Sequence, residues 1–485
     1  MTLTLGSDSA AGCFGRLFKR RKASKSRPQE LASSSTYPSS SIKGGSEKSP
    51  EHCHCVCPTC DFSFSDENVW WNSESKTTLP PYSPVIEESV SDATFTIAHT
   101  LDMLGSRLRE LSMQLHGHPE IQFHEKFAHD LLTSFMEDHG FKVYRQYLGL
   151  STAWRAEYSH GKGGRVVGVN SEMDALLGLG HACGHNLIAA SGCGVAIALK
   201  AALEATNTPG KIILLGTPAE EVGGGKIILL DRGGYDEMDL CLMCHPGPGP
   251  SHSFDVGSTL AMQNIEVEFF GKSAHAGAAP WEGTNALDAA FLAYSSISVL
   301  RQQMKPDQRV HGIIQGKDWF PNIIPDYAKM KWIVRAPTHA ELQVLAEKIL
   351  NCFRAASLAT SCELSIRIDA AYYDLNQNAA LAKEFETVIK QRYQMETTCR
   401  GSTASTDFGN VGHRLPSLHP MFAIPTEPNG GNHTSAFARA AATEEAHEAA
   451  MTVTNALALT AFRAMRDETF FQEVVRSFEA SQTTS

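Results

Sequence analysis

Four separated segments of this chain carry side chains suited to metal and proton chemistry. They are "EMD" at 172–174, "HACGH" at 181–185, "TPAEE" at 217–221 and "CHPGP" at 244–248. Each follows an apolar run, at a point where a sheet strand should end. A fifth segment, "GGNHTS" at 430–435, offers His433 in a glycine-rich loop. Asp174, Cys183, His185, Glu220, Glu221, His245 and His433 are therefore candidates for one site. In open α/β sheets such residues converge outside the carboxyl ends of the strands. Imidazole and thiolate suit zinc, and carboxylates admit manganese or cobalt as well. The set exceeds what one tetrahedral zinc needs and suits two metals sharing a bridging ligand and a bridging water. Adjacent Glu220 and Glu221 fit a division of labour. One carboxylate holds metal while its neighbour takes a proton from that water.

Plainer readings weigh against single members of the set. A lone buried cysteine usually packs as a small hydrophobe, and Cys193 and Cys352 are read that way. His181 is expected to hydrogen-bond backbone beside the site. A Glu-Glu pair is usually a solvated feature, but this one follows a buried run and a Thr-Pro turn. "HCHCVCPTC" at 52–60 could offer Cys53, Cys55, Cys57 and Cys60 to zinc or Cu(I). Structural zinc sites, however, draw on two separated ligand pairs.

The elements that must position these groups are legible as periodicity. Helical spacing begins near Ala98 with "TLDMLGSRLRELSMQLHGHPE", and "AHDLLTSFMEDHGF" is a second amphipathic helix. "KVYRQYLG", "RVVGVNSEMDA" and "KIILLGTPAEE" read as strands. "LIAASGCGVAIALKAALEA" reads as a helix, with Asn186 placed to cap it. Alternating helix and buried strand implies an α/β domain with a largely parallel sheet. From about residue 262 the texture changes. "NIEVEFFG", "YAKMKWIVRA" and "CELSIRIDA" alternate like antiparallel strands and are separated by two helices. That β-α-β-α-β order predicts a small α+β domain. "NAALAKEFETVIKQR" and "EEAHEAAMTVTNALALTAFRAMRD" then return to helices.

At 485 residues the chain is too long for one core. The expected division is a disordered tail at 1–92, a catalytic domain in two parts at 93–261 and 375–485, and an inserted domain at 262–374. The tail is rich in Ser, Pro and charge, and its run "RLFKRRKASKSR" is read as a solvated basic segment. A net charge of -11 disfavours nucleic acid and acidic membranes as partners. No stretch reads as a membrane helix, and the first residues lack the apolar core of a signal peptide. A cytoplasmic chain with free thiols is the expectation.

The motifs "EMDALLGLGHACGHNLIA", "GTPAEEVGGGK", "CHPGP", "GKSAHAGAAPWEGTNALDA", "HGIIQG", "PNIIPDYA", "STDFGNVG" and "NHTSAF" resemble those of the M20 metallopeptidases and amidohydrolases. The likeness is greatest to the branch of the M20-domain dipeptidase 2 type and spans about residues 95–470. It implies a di-metal, aminopeptidase-like catalytic domain with an inserted ferredoxin-like lid that serves dimerisation. Carried over by position, it implies Cys183, His185, Glu221, His245 and His433 as metal ligands, with Cys183 bridging. Glu220 falls on the general base and Asp174 on the acid that orients a ligand. His275 and Asn322 fall on lid residues that reach substrate, His275 often across a dimer interface. Glu172 stands where members of the wider family carry a metal-binding histidine, Leu177 where proline is common, and Asn186 matches the dipeptidase branch.

The resemblance and the residues together lead to a zinc-dependent hydrolase of dipeptides or related small amidated amino acids, working as a homodimer. An N-acyl amino acid amidohydrolase and a metal-binding regulator that has lost catalysis are the alternatives.

Overall fold

The computed structural model describes residues 85–398 and 401–484. The basic run and the Cys53–Cys60 cluster lie outside the described residues. The chain opens with α1 (Val85–Gly117), upstream of the Ala98 start expected, and α2 (Lys126–Asp138). There follow β1 (Lys142–Arg145), β2 (Trp154–His160), β3 (Arg165–Glu172), α3 (His185–Thr206), β4 (Gly210–Thr217) and α4 (Gly225–Asp231). The short strands β5 (Leu240–Leu242), β6 (His245–Pro248) and β7 (Ser253–Asp255) complete this part.

The central sheet has the order β1-β2-β4-β3-β5-β13, where β13 is Ser417–Leu418 from the far end of the chain. β4, β3, β5 and β13 pair in parallel, and β2 and β1 extend the sheet antiparallel. The parallel strands are covered on both faces, which explains their continuous apolar runs. Along β4, Ile212 and Leu214 face one core while Ile213 and Leu215 face another. The first core is shared with α1 and α3; the second is closed by Leu229 of α4 and by Phe408.

Helix α3 meets the length and composition of a membrane span, contrary to the sequence expectation, yet 89% of its apolar window is buried inside the fold. It is a core helix, hydrophobic all round because it packs on every side. Asn186 does not cap it. The helix starts two residues earlier than that cap implies, at His185, with Gly184 at the cap in the left-handed region (φ 80°). Asn186 instead donates to Ser112 Oγ at 2.9 Å and to the Ala441 carbonyl at 3.0 Å.

Residues 261–368 build the lid: β8 (Ala261–Phe270), α5 (Ala286–Leu300), β9 (Arg309–Gly316), β10 (Tyr327–Ala336), α6 (His339–Thr360) and β11 (Glu363–Ile368). Its sheet, ordered β11-β8-β10-β9, is antiparallel throughout and encloses its own core around Val267, Trp332 and Phe353. The order is therefore β-α-β-β-α-β, the ferredoxin-like pattern, with one strand more than the sequence reading gave. β9 escaped because, as an edge strand, it buries only Val310. Its alternation is also broken by Gly312, where a Cβ would lie 2.3 Å from Trp332. The two crossings between lid and catalytic layer run side by side: Met262 and Tyr372 exchange both backbone hydrogen bonds at 2.8 Å.

The chain then forms α7 (Ala379–Tyr393), β12 (Glu396–Thr397), α8 (Phe408–Arg414), β13, β14 (Met421–Ile424), α9 (Ser435–Ala440), α10 (Glu444–Arg466) and α11 (Glu468–Thr484). β14 pairs in parallel with β6, which fixes His245 at the first register position.

Candidate metal centre

The carboxyl ends of β3 and β4 and the segment after β5 meet at one place. Glu172 closes β3, Asp174 lies just beyond it, and Thr217 closes β4 ahead of Glu220 and Glu221. His245 opens β6, and His185 begins α3. His433 arrives from the loop before α9. Gly184 is required here: its Cβ would lie 2.4 Å from Pro246 Cγ, so only glycine lets α3 start against the His245 segment.

Two triads of donor atoms result, and they share Cys183. In the inner one, Cys183, His185 and His245 each offer an atom within 4.8 Å of the others; in the outer one, Cys183, Glu221 and His433 do so. Cys183 Sγ is 3.5 Å from His245 Nε2, and Glu221 Oε2 is 3.2 Å from His433 Nε2. Tetrahedral bonds of about 2.0–2.3 Å to nitrogen, oxygen and sulfur imply donor separations of about 3.3–3.6 Å, close to these.

The tautomers agree with that use. His185 Nδ1 donates to the Asp174 carbonyl at 2.7 Å, and His245 Nδ1 donates to the Pro246 carbonyl at 2.7 Å. Both rings thereby aim Nε2 inward, the arrangement metal-binding histidines need; although burial opposes it, the Asp174 bond and the carboxylates around His185 raise its pKa, so a cation there would take the place of the Nε2 proton. His185 Nε2 and Glu221 Oε1 are buried without a hydrogen-bond partner, a costly state that a cation relieves. Burial and the Glu221 charge push the Cys183 thiol up, so a thiolate there calls for a cation beside it. The residues present fit two divalent cations, with Cys183 common to both donor groups.

Electrostatics separates the two glutamates. Burial, with the charges of Glu172 and Glu221, raises the Glu220 carboxyl well above its ordinary value. Burial would raise Glu221 too, but the His433 bond and His185 outweigh it and hold its carboxyl low. Burial lowers His245, keeping it neutral. Asp174 organises the pair: its Oδ2 accepts from the Glu221 amide at 3.0 Å, and its Oδ1 is 3.3 Å from His185 Nδ1. Ala219 (φ 60°) and His433 (φ 66°) occupy the left-handed region without being glycine. Such conformations persist only where surroundings over-determine them.

His181 is buried beside the site, its ring 6.3 Å from that of His116, and burial drives its pKa down to about 3. His275 and Asn322 are brought to each other, not to the triads. The Ala276 amide donates to the Asn322 carbonyl at 3.0 Å, and His275 bridges to Ile323. No hydrogen bond or ion pair among the described residues joins either to the donor set. The amides of Gly277 and Ala278 donate to His275 Nδ1, which leaves its proton on Nε2.

Three supports escaped sequence reading. Glu125 accepts from the Ala219 amide at 2.9 Å, pinning the strained turn ahead of Glu220. Tyr372, at the lid crossing, donates to the Glu220 carbonyl at 2.8 Å. Lys226, fully buried, bridges Glu172 at 2.7 Å and Asp407 at 2.5 Å. "STDFGNVG" contains Asp407 and "GGGK" contains Lys226, but nothing in either segment announces a partner so distant in sequence.

Comparison with known proteins agrees with this architecture. Residues 169–460 match the model of peptidase family M20/M25/M40. The chain is 42% identical to the mouse (Mus musculus) Xaa-Arg dipeptidase over 399 residues, covering 79% of this chain and 91% of the mouse protein. It is 40% identical to the human (Homo sapiens) Xaa-Arg dipeptidase, covering 75% and 87%. A Bacillus subtilis dinuclear metal-binding peptidase of the M20 family superposes with a TM-score of 0.59 at 19% identity, covering 75% of this chain and 99% of that one. The chain belongs to the M20 peptidase family. It is a metal-binding hydrolase acting on peptide or other amide C–N bonds.

Proposed function

We propose that this protein is a di-zinc dipeptidase that releases a C-terminal basic residue, arginine foremost, from dipeptides. The observation that carries the chemistry is the pair of donor triads sharing Cys183, with Glu220 beside them. The substrate rests on the likeness to the Xaa-Arg dipeptidases.

Cys183, His185 and His245 would hold one cation, and Cys183, Glu221 and His433 the other. When bound, the cations supply Lewis acidity toward the amide carbonyl and lower the pKa of water. Glu220 takes a proton on its carboxylate as water attacks the carbonyl carbon. It then gives that proton to the amine nitrogen as the C–N bond breaks. Burial, with the charges of Glu172 and Glu221, raises this carboxyl above its ordinary value, which strengthens its hold on the proton between the two transfers. Asp174 keeps His185 and Glu221 aimed. His275 donates Nε2–H to the developing oxyanion, and Asn322 positions substrate beside it, both delivered to the triads of a partner subunit.

That partner is a second copy, docked through the lid. Supporting this, Phe291, Tyr294 and Val299 form an exposed apolar stripe on α5, and β9 is an edge strand. A cytoplasmic location accords with the described cysteines, all free thiols.

The test is a panel of dipeptides and N-acyl amino acids offered to the zinc-loaded protein. Dipeptides ending in arginine or lysine should be cleaved at least about tenfold faster, by kcat/KM, than N-acyl amino acids, a discrimination of about 1.4 kcal/mol. The reverse preference would make the protein an aminoacylase, and inertness toward every amide with metal bound would leave only a regulator.

A further inference from the structure

The turn that carries Glu220 is held by hydrogen bonds from different parts of the fold. Glu125 Oε1 accepts from the Ala219 amide at 2.9 Å, and the Gly224 amide donates to the Ala219 carbonyl at 3.0 Å. Asp174 Oδ2 accepts from the Glu221 amide at 3.0 Å. These partners belong to the catalytic layer. One more does not: the Glu220 carbonyl accepts from the Tyr372 phenol at 2.8 Å, and Tyr372 stands on the chain's return crossing from the lid. Its side chain is buried and packs on the glycine run after the turn, where a Cβ on Gly224 would lie 3.3 Å from Tyr372 Cε1. Burial, with the charges of Asp407 and Glu220, raises the phenol well above its ordinary value, so it keeps its proton and stays a donor.

The crossing, residues 371–374, is bonded to both bodies it joins. On the catalytic side, Asn410 of α8 donates from Nδ2 to the Ala371 carbonyl at 3.0 Å and accepts on Oδ1 from the Tyr373 amide at 3.0 Å. On the lid side, Tyr372 exchanges its backbone bonds with Met262 at the start of β8. Asp374 Oδ1 accepts from the His339 amide, at the first residue of α6, at 2.8 Å. The His339 ring stacks on Tyr373 with centroids 3.8 Å apart. Lid closure is absorbed by a few residues at element ends, and residues 371–374 lie where the lid returns to the catalytic layer. An O–H···O bond tolerates only about 0.5 Å of stretch. A displaced crossing therefore carries the Glu220 peptide with it or breaks the bond.

We propose that Tyr372 is a positioning residue that ties the aim of Glu220 to the angle of the lid. This rests on the reading of Glu220 as the base, and extends it by making the base's placement depend on the lid joint. The strain at Ala219 (φ 60°) gives the tie its use. A strained turn keeps its shape only while its surroundings hold it, and the phenol is the hold that the joint controls. Proton transfer needs Glu220 within hydrogen-bond reach of the attacking water, and a displacement of about 1 Å there costs about 10²-fold in rate.

The test is steady-state kinetics on the zinc-loaded full chain, with a dipeptide ending in arginine. Tyr372→Phe keeps the ring and removes the donor. Its kcat should fall at least about tenfold, while KM stays within about twofold and zinc content is unchanged; a general loss of fold would lower zinc content with kcat. Asp374→Ala, which frees α6 from the joint, should lower kcat in the wild-type background and by less than about twofold on top of Tyr372→Phe, because the two act along one route. A Tyr372→Phe with wild-type kcat overturns the proposal and leaves the base reading standing. Losses that multiply, or an Asp374→Ala without effect, overturn the tie to the lid. A wild type that holds zinc and cleaves no amide removes both readings. Where Tyr372→Phe does not fold, crystal structures of the wild type with and without bound arginine decide. A phenol within about 3 Å of the Glu220 carbonyl at both lid angles, with that peptide displaced between them, supports the proposal; a peptide that stays in place while the phenol withdraws overturns it.

Discussion

At the scale of single residues, the centre divides into groups that offer donor atoms and groups that aim them. Cys183, His185, Glu221 and His245 were legible in sequence because metal-binding types stand at the ends of apolar runs. His433 was legible only because a histidine occupies a glycine-rich loop. Among the aiming groups Asp174 was legible, from its place beyond an apolar run and from the family resemblance; Glu125, Tyr372 and Lys226 were not, since their work depends on contacts across long separations. Asp174 shows how much they carry: one side chain meets both the His185 ring and the Glu221 amide. Asp174→Ala should weaken metal binding by about 10–100-fold, the usual cost of removing a partner behind the ligands. Metal titration of the purified variant checks this; unchanged affinity would show that His185 and Glu221 are held by other means. Asn186 was misassigned for a local reason. A left-handed Gly184 starts α3 two residues early and turns the asparagine into a buried link between Ser112 and Ala441.

At the scale of elements, the parallel strands announced themselves through unbroken apolar runs, and the lid strands through alternation. β9 did not, because an edge strand buries too little to leave a period-two pattern. The least legible element is the turn after β4. Glu125 binds the Ala219 and Phe123 amides and Thr152 Oγ1 with its two oxygens. Burial raises its carboxyl to about 7 from an ordinary 4.5. The sign follows directly: between those values the folded chain holds a proton that the unfolded chain has lost. This group's contribution is therefore full below about pH 4.5, falls as pH rises, and flattens above about pH 7. The span is worth up to about 3 kcal/mol. Glu125→Gln keeps acceptor geometry and should abolish that slope, so wild type should lose Tm relative to the variant as pH rises through this window. Glu125→Ala frees the strained turn and should lower kcat at least about tenfold by misplacing Glu220. Equal pH dependence of Tm in wild type and Glu125→Gln would contradict the account.

At the scale of the whole molecule, no hydrogen bond or ion pair among the described residues joins His275 and Asn322 of the lid to the donor triads, while its crossing residue Tyr372 touches the Glu220 backbone. The lid and the centre were both readable from the sequence; how His275 would reach the centre was given there only by the family resemblance, because no local pattern encodes it. The α5 stripe and the free edge of β9 predict a dimer of more than about 1,000 Å² buried area. Light scattering should give twice the chain mass. Phe291→Asp with Val299→Asp should yield a monomer that keeps its zinc and loses turnover. An active monomer would place His275 outside the reaction. The most direct test of the central claim compares wild type with Glu220→Gln at equal zinc content, following release of free arginine from a dipeptide that ends in it. The account predicts two zinc ions per chain in both proteins and a kcat at least about 10²-fold lower in the variant. A variant that turns over at the wild-type rate, or a wild type that carries both ions and leaves the dipeptide intact, would contradict it.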